Sequence, residues 1–419
     1  MTQPAGPSLR LSLVVTVAAG AAFAVMAALV VPWDWLPGGS FEAAQADQVF
    51  SAREIARGEH VAGLLRYAGW GNLVISVLVA ALLGFTRLGS SLVRRIPGPW
   101  WVQVILGCLG VSVIGAVAAL PLGWSAQRVR LAEGLSRQTW AGWLADRGLG
   151  LVVTWALTTI ALVVVIGLAR RAPRTWPLWA ALAAASMAMV GSFVYPVVVE
   201  PLFNNFTPMK EGPLRSDIFA LAEREHVQID DVLVADASRR TTTLNAYVSG
   251  FGSTRRVVVY DTLLTGLPQR QVEMIVAHEL AHTKHDDVLT GTTLGALGSA
   301  FGLGLLGIVL TRRGLLQRTE VDSLGDPRVV PLVLGLALVG SLLASPIQNT
   351  ISRAIEARAD RTSLEATGDS ETFIAMQRQL ALRSLADPTP PGWSHFWFGS
   401  HPTTLERIGL AQSREWTTH

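Results

Sequence analysis

The sequence predicts a polytopic α-helical membrane protein with about seven transmembrane helices and a small α+β unit outside the bilayer. The first observation is composition: of 419 residues, 50% are hydrophobic and 16% charged, with a mean hydropathy of +0.39, which exceeds what a soluble core requires. The second is the recurrence of uncharged apolar runs of about 20 residues, the length that crosses a bilayer as a helix. The third is a pair of long polar stretches, which predicts the α+β unit.

Seven apolar runs are long enough to cross a bilayer. They lie at residues 11–32, 67–86, 101–121, 149–169, 176–198, 288–311 and 329–347. The first run, LSLVVTVAAGAAFAVMAALVV, is longer than the core of a secretory signal, which is typically about 7–15 residues. We therefore interpret it as an uncleaved first span of a multi-pass integral membrane protein.

The runs divide the chain into four parts. Residues 1–198 contain five predicted spans with their loops, and residues 288–347 contain two more. Residues 199–287 and 348–419 are the polar segments, and we expect them to assemble into one unit. Within the loops of the first part, residues 40–66 mix charged and apolar positions, which favours a solvated helix over the alternative of a helix on the membrane surface.

The first polar segment predicts both helices and strands. SDIFALAEREHVQID has apolar residues at helical spacing, and Ser216 is placed to cap this helix. DDVLVADAS predicts a short strand, and LNAYVSGFGSTRRVVVYDTLL predicts a β-hairpin around a Gly-Phe-Gly-Ser turn. LPQRQVEMIVAHELAHTKH predicts a helix that begins at Pro268 and runs through His285, Asp286 and Asp287 almost directly into the sixth span.

The HELAH sequence in that last helix is typical of a zinc site. His278 and His282 are four residues apart, so their imidazoles project from one face of a helix and can bind a single ion. Glu279 follows the first histidine directly and can act as general base on the water that attacks a peptide carbonyl. The pattern predicts one catalytic Zn²⁺ per chain.

Zinc requires a third protein ligand, and the sequence offers two candidates. Glu356 in SRAIEARADRTSLEATGD follows the last span, and Asp360 is one helical turn further on, where it can accept a hydrogen bond from a ligand imidazole. His285 is the alternative, but three successive ligands on one straight helix cannot easily form a tetrahedral site. We therefore expect Glu356 to be the third ligand and Asp360 to accept a hydrogen bond from a ligand imidazole. His285 is expected to lie beside the site without binding the metal.

HExxH followed after two spans by ExxxD resembles the membrane-embedded gluzincin peptidases of family M48, specifically the Ste24-type CAAX prenyl proteases. The resemblance covers nearly the whole chain, and two further motifs match: LNAYVSGFG with Asn245 and Ala246, and SHPTTLERI with His401 and Arg407. It implies that Asn245 and Ala246 lie on a strand that pairs with substrate. It also implies that His401 and Arg407 lie near the metal, where a donor can stabilise an oxyanion. Arg407 is equally interpretable as a salt-bridge partner.

The resemblance implies a zinc metalloendopeptidase whose substrate is a peptide or protein, either lipidated or membrane-associated. Quality control of membrane proteins, with substrates that carry no prenyl group, is the alternative. Two alternatives belong to other functional classes. A non-catalytic protein held together by a structural zinc is disfavoured, because structural zinc usually has four protein ligands. A transporter is disfavoured, because the spans lack the charged residues that ion pathways need. The sequence has no glycine-rich phosphate loop, so it predicts no nucleotide partner, and no nucleic-acid partner is expected.

The charges leave the side of the membrane open. Arginine dominates the 34 basic residues, as in a GC-rich bacterial genome, which indicates a bacterial cell membrane. The N-terminal tail and loops 87–100, 170–175 and 312–328 contain eleven arginines, against seven in the short loops on the other side. The positive-inside rule therefore puts the polar unit outside the cytoplasm. The eukaryotic members that the sequence resembles have their zinc unit on the cytosolic side.

Overall fold

The computed structural model describes residues 7–37, 39–250 and 255–417. In this part of the chain, seven helices are long and apolar enough to cross a membrane, as the sequence predicts. They are α1 (Leu9–Val30), α3 (Ala52–Gly84), α5 (Trp100–Ala132), α6 (Trp140–Arg171), α7 (Trp176–Val194), α12 (Asp287–Val309) and α14 (Val330–Thr367). A π-helical turn over Tyr195–Val199 joins α7 to α8 (Glu200–Phe203), so that the fifth span continues into the polar unit.

The remaining elements are shorter. The other helices are α2 (Ala46–Val49), α4 (Arg87–Arg94), α9 (Pro213–Arg224), α10 (Asp261–Gly266), α11 (Gln269–Lys284), α13 (Arg313–Thr319), α15 (Ser370–Ser384), α16 (Gly392–Phe398) and α17 (Thr404–Ser413). The strands are β1 (Phe206–Pro208), β2 (Asp231–Ala235), β3 (Ala246–Ser249) and β4 (Arg256–Tyr260). The chain is therefore a multi-pass membrane protein with a small α+β unit.

Six of the spans form a closed ring. Neighbouring helices pack in the order α14, α3, α5, α6, α7, α12, and α12 also contacts α14. The first span, α1, packs on α12 and α7. Small residues allow some of these helices to approach closely, as is common inside membranes. The ring places the ends of α7, α12 and α14 beside one another, where the polar unit is attached.

The polar unit is built on a mixed sheet with strand order β1-β2-β4-β3 among the described residues. Strands β3 and β4 pair antiparallel, with Ala246 opposite Val259, which is the predicted hairpin. Its predicted turn at 250–253 lies mostly outside the described residues. Strand β2 pairs parallel with β4, and the unpredicted β1 pairs antiparallel with β2. Strand β3 is thus at one edge of the sheet.

The loop between the first two spans also packs into the polar unit. Ala44 N donates to Leu405 O at 2.9 Å, and the Arg378 guanidinium contacts both Val49 O and the Glu54 carboxylate. The helix predicted within residues 40–66 corresponds to the start of α3. These contacts hold the first turn of α3 against the polar unit. One side of the segment packs against α15 and α17, where Ala44 and Phe50 join a buried apolar cluster.

Two local predictions were wrong. The helix α9 begins at Pro213 after Gly212, and Ser216 lies inside it with its hydroxyl bonded to Gly212 O, so Ser216 is no cap. The zinc-motif helix does not run on into the sixth span. It ends at Lys284, and Asp286 adopts a left-handed conformation with φ of 52° before α12 starts at Asp287.

Candidate metal centre

Helix α11 presents the HELAH residues from a well-packed position. Its apolar face, including Val272, Val276 and Leu280, is fully buried in the core of the polar unit against the sheet. His278 and His282 lie one turn apart on a neighbouring face, so burying one side of α11 directs both imidazoles toward α14. Their Nε2 atoms are 3.3 Å apart.

Helix α14 supplies the carboxylate that faces them. Glu356 Oε2 lies 3.2 Å from His278 Nε2, and Glu356 Oε1 lies 3.6 Å from His282 Nε2. Among the described residues, His278, His282 and Glu356 form a group whose donor atoms lie within 4.8 Å of one another, close enough to hold one metal ion. The structure thus brings together the three residues that the sequence predicts as ligands, across two intervening spans.

The separations of the donor atoms fit a tetrahedral metal. Zinc bonds of about 2.0–2.1 Å to nitrogen and oxygen keep neighbouring ligands of a tetrahedron about 3.3 Å apart. The two imidazole nitrogens are 3.3 Å apart, and they lie 3.2 and 3.6 Å from the two different oxygens of Glu356, which is close to this value. Two imidazoles and a carboxylate are also the ligand set of catalytic zinc peptidase sites, which keep a fourth position open.

Asp360 and Arg407 support the first histidine. Asp360 Oδ1 lies 2.9 Å from His278 Nδ1, and Arg407 Nε donates to Asp360 Oδ2 at 2.7 Å. Burial opposes a charge on His278, but Asp360 and Glu356 outweigh it and raise the pKa of this imidazole to about 10. The carboxylates therefore favour positive charge at the centre, as a cation site requires. Of the two roles predicted for Arg407, the salt-bridge contact is the one present.

The second histidine has a similar pair of partners that the sequence analysis missed. Asp287 Oδ2 lies 2.9 Å from His282 Nδ1, and the other carboxylate oxygen of Asp287 accepts from Arg358 Nη2. A signal was available: Asp287 is an acidic residue at the start of an apolar span, where a charge is costly unless it is paired.

Glu279 lies between the two histidines and is partly exposed. Burial raises the pKa of its carboxyl, while His278 and His282 act in the opposite direction with smaller effect. The carboxylate is consequently a stronger base than an exposed glutamate would be, and this suits a group that must accept a proton near neutral pH.

His401 borders the site from the loop before α17. Its Nε2 lies 3.3 Å from Glu356 Oε2, and its Nδ1 lies 2.9 Å from Ser400 Oγ. Its side chain is 55% exposed, so it remains accessible to a substrate. Partial burial lowers the pKa of the His401 imidazole.

His285 lies away from the group of ligands. It caps the end of α11, and its Nε2 is 3.2 Å from Thr362 Oγ1. Burial, together with Arg358, lowers the pKa of this imidazole. Among the described residues, the group of donor atoms within 4.8 Å does not include His285, and its role beside the site stays a prediction.

Strand β3 lies beside α11 and begins at Ala246, so Asn245, which was expected on the strand, immediately precedes it. Ala246 is buried, while the side chain of Asn245 is exposed and its backbone oxygen accepts from Tyr260 N at 3.0 Å. Because β3 ends the strand order, its outer edge has no strand partner among the described residues. Such an edge can accept an extended peptide as an additional strand.

Comparisons with known proteins agree with this architecture. Residues 208–415 match the model of peptidase family M48, and residues 65–205 match the model described as CAAX prenyl protease N-terminal, five membrane helices. The crystal structure of Ste24p from S. mikatae superposes with a TM-score of 0.78 at 18% identity, covering 96% of this chain and 99% of that one. The fold predicted from the sequence is therefore confirmed.

Two sequence relatives extend the comparison. An uncharacterized metalloprotease, YhfN, from Bacillus subtilis is 31% identical over 73% of this chain and 72% of its own. A CAAX prenyl protease 1 homolog from Oryza sativa is 26% identical over 73% of this chain and 72% of its own. These matches, together with a histidine and glutamate site suited to a metal, show that the chain belongs to peptidase family M48 and is a membrane metallopeptidase.

Proposed function

We propose that this protein is a zinc metalloendopeptidase in which His278, His282 and Glu356 bind one Zn²⁺. The observation that carries the proposal is the agreement between the separations of their donor atoms, 3.2–3.6 Å, and those of a tetrahedral zinc site. A zinc ion held by these three residues would keep a fourth position for substrate and water. A merely structural zinc would call for a fourth protein ligand and no adjacent base.

The residues around the site divide the work of peptide hydrolysis. When bound, zinc acts as a Lewis acid that polarises the scissile carbonyl and lowers the pKa of water. Glu279 takes a proton from the attacking water and later delivers it to the leaving amine. His401 donates its N–H to the oxygen that becomes negative as water adds to the carbonyl. Arg407 acts indirectly, by holding Asp360 against His278.

The substrate pairs with the free edge of β3. Asn245 orients the scissile bond through its exposed amide, and the backbone of Ala246 offers hydrogen bonds to an extended chain. The names of the relatives favour a CAAX-like substrate, which is a peptide or protein that is lipidated or membrane-associated. The relative from Bacillus subtilis and the arginine-rich composition favour a bacterial cell membrane. Membrane proteins without a prenyl group are the second candidate class.

The proposed mechanism is tested by Glu279→Gln in the purified full-length protein. Loss of the base is expected to lower kcat about 10²–10⁴-fold while bound zinc stays stoichiometric. The measurement is cleavage of internally quenched peptides, with zinc counted by mass spectrometry of the intact metal-loaded sample. Full activity in this variant would refute the role of Glu279, and a parent protein without zinc would refute the metal site.

The substrate class is tested with matched peptides that differ solely in a prenyl group on cysteine. A CAAX-type enzyme is expected to cleave the prenylated peptide with the higher kcat/KM. Equal rates on both, together with cleavage of unfolded membrane-protein segments, would favour the quality-control function.

A further inference from the structure

We propose that Asp287 is a positioning residue for the second histidine of the centre, and that Arg358 holds Asp287 in place. This inference rests on the proposed zinc site and adds to it a second carboxylate that orients a ligand. The geometry parallels the first histidine: Asp360 lies 2.9 Å from His278 Nδ1, and Asp287 lies 2.9 Å from His282 Nδ1. Each carboxylate is in turn bonded to an arginine.

Both oxygens of Asp287 are engaged. One lies against His282 Nδ1, and the other accepts from Arg358 Nη2. The residue is 8% exposed, so its carboxylate is removed from water and depends on these two donors. A carboxylate at Nδ1 keeps the proton on that nitrogen, which leaves the lone pair of Nε2 directed at the metal.

The break between α11 and α12 makes this contact possible. On an unbroken helix, a residue five positions after His282 would lie roughly 140° around the axis, since each residue turns about 100°. The left-handed conformation of Asp286 interrupts the helix, and α12 then starts with Asp287 facing back toward the imidazole. The same helix that provides Glu356 provides Arg358 two residues later, so α14 contributes to both histidines.

Asp286 offers a matched control. It is adjacent to Asp287, has the same chemistry, and pairs with Arg255 at 3.4 Å on the surface, where its side chain is 67% exposed. Asparagine tolerates the left-handed conformation found at this position. The change from aspartate to asparagine can therefore be compared at two successive residues.

The experiment measures zinc affinity by chelator competition in the full-length protein with Asp287→Asn or Asp286→Asn. Asparagine has one acceptor oxygen where Asp287 serves two donors, so the first variant is expected to bind zinc about 10–100-fold more weakly. The second is expected to match the parent. Cobalt(II)-loaded protein should show a shifted visible absorption band in the first variant alone, because the orientation of His282 alters the ligand field.

The outcomes separate this inference from the proposed function. If the parent binds zinc and Glu356→Ala does not, the site is supported; equal zinc affinity of Asp287→Asn and the parent would then overturn the role of Asp287 alone. Should Asp287→Asn not fold, Asp287→Glu serves instead, because its longer chain displaces the carboxylate from Nδ1. Weaker zinc binding by this variant supports the inference, and unchanged binding overturns it.

Discussion

At the scale of single residues, the proposed metal centre combines two imidazoles and a carboxylate with a carboxylate partner for each imidazole. The spacing of HELAH indicates His278 and His282, because four residues on a helix is a local relation. Asp360 could be predicted as well, since it is one turn from Glu356. The charge of Asp287 at the start of an apolar span indicates that it has a partner. It does not identify His282 as that partner, because the contact requires a break in the helix and neither glycine nor proline occurs between the two residues.

The choice between the two candidate third ligands is open to a direct test. Glu356→Ala removes a donor from the group and is expected to weaken zinc binding by more than the roughly 10–100-fold cost of losing a ligand's partner. His285→Ala is the matched comparison and is expected to leave zinc affinity unchanged, because His285 contacts Thr362 instead. Chelator competition measures both. The reverse ranking would make His285 the ligand.

At the scale of elements, apolar composition predicts which helices cross the membrane but not how long each helix is. The predicted seventh span ends at residue 347, whereas α14 continues to Thr367 without interruption. Apolar composition indicates the part of a helix that lies in lipid. It does not indicate a polar continuation, which here packs against α11, α16 and α17. Strand β1 was missed for a related reason, since three residues are too few to show an alternating pattern.

The packing of the first span on the sixth depends on a glycine. A side chain on Gly304 would meet Thr16, whose backbone nitrogen lies 2.8 Å from the position of the added Cβ. Gly304→Leu is therefore expected to separate α1 from α12 and to lower the thermal midpoint by several degrees, since overpacking costs about 1–3 kcal/mol. Gly302 is on the same helix facing open space, and Gly302→Leu is expected to be neutral. Thermal unfolding in detergent compares them, and equal midpoints would contradict this account.

The cap of α15 has a stability effect with a defined pH dependence. Asp369 accepts from Thr372 N at 2.9 Å and from Thr372 Oγ1 at 2.6 Å, and these hydrogen bonds lower the pKa of its carboxyl. The stabilisation is therefore complete above the ordinary pKa of about 4 and is lost as pH falls through the lower folded value.

Asp369→Ala is expected to lower the free energy of unfolding by about 1 kcal/mol at pH 7. The deficit relative to the parent should shrink below pH 4, because protonation weakens the cap of the parent as well. Asp369→Asn keeps an acceptor oxygen and should remain stable with no such dependence. Unfolding followed by circular dichroism over pH 3–7 tests the pair; a deficit independent of pH would show that the charge plays no part.

At the scale of the whole molecule, the metal centre and the helical ring form together. Of the three proposed ligands, two lie on α11 just before the sixth span and the third lies on the polar continuation of α14, so their donor atoms meet through the packing of α11 against α14. The sequence predicts this assembly in outline, because two polar segments are separated by two spans. It does not predict the contribution of the loop before α3, whose apolar residues Phe41, Ala44 and Phe50 join the cores of the polar unit.

The charges are distributed unevenly between the two ends of the ring. The end opposite the metal centre gathers eleven of the 34 basic residues and three of the 31 acidic ones, a net charge of +8. Contacts between these loops show that they share one end: Ser8 N donates to Arg174 O, Arg170 to Gly325 O, and Arg87 lies 3.3 Å from Glu320. The end with the metal centre has the remaining 23 basic and 28 acidic residues, a net charge of −5.

This asymmetry predicts the orientation in the membrane. Positively charged short loops are retained in the cytoplasm, so the arginine-rich end is expected to face inward and the metal centre outward. The chain suits a cysteine-accessibility measurement, because its single cysteine, Cys108, is buried. In bacterial cells, an impermeant thiol reagent should label Glu223→Cys on the polar unit without lysis, and should label Arg313→Cys on the opposite end after lysis alone. The opposite pattern would place the metal centre in the cytoplasm, and the arginine distribution would then reflect contacts with anionic lipid rather than topology.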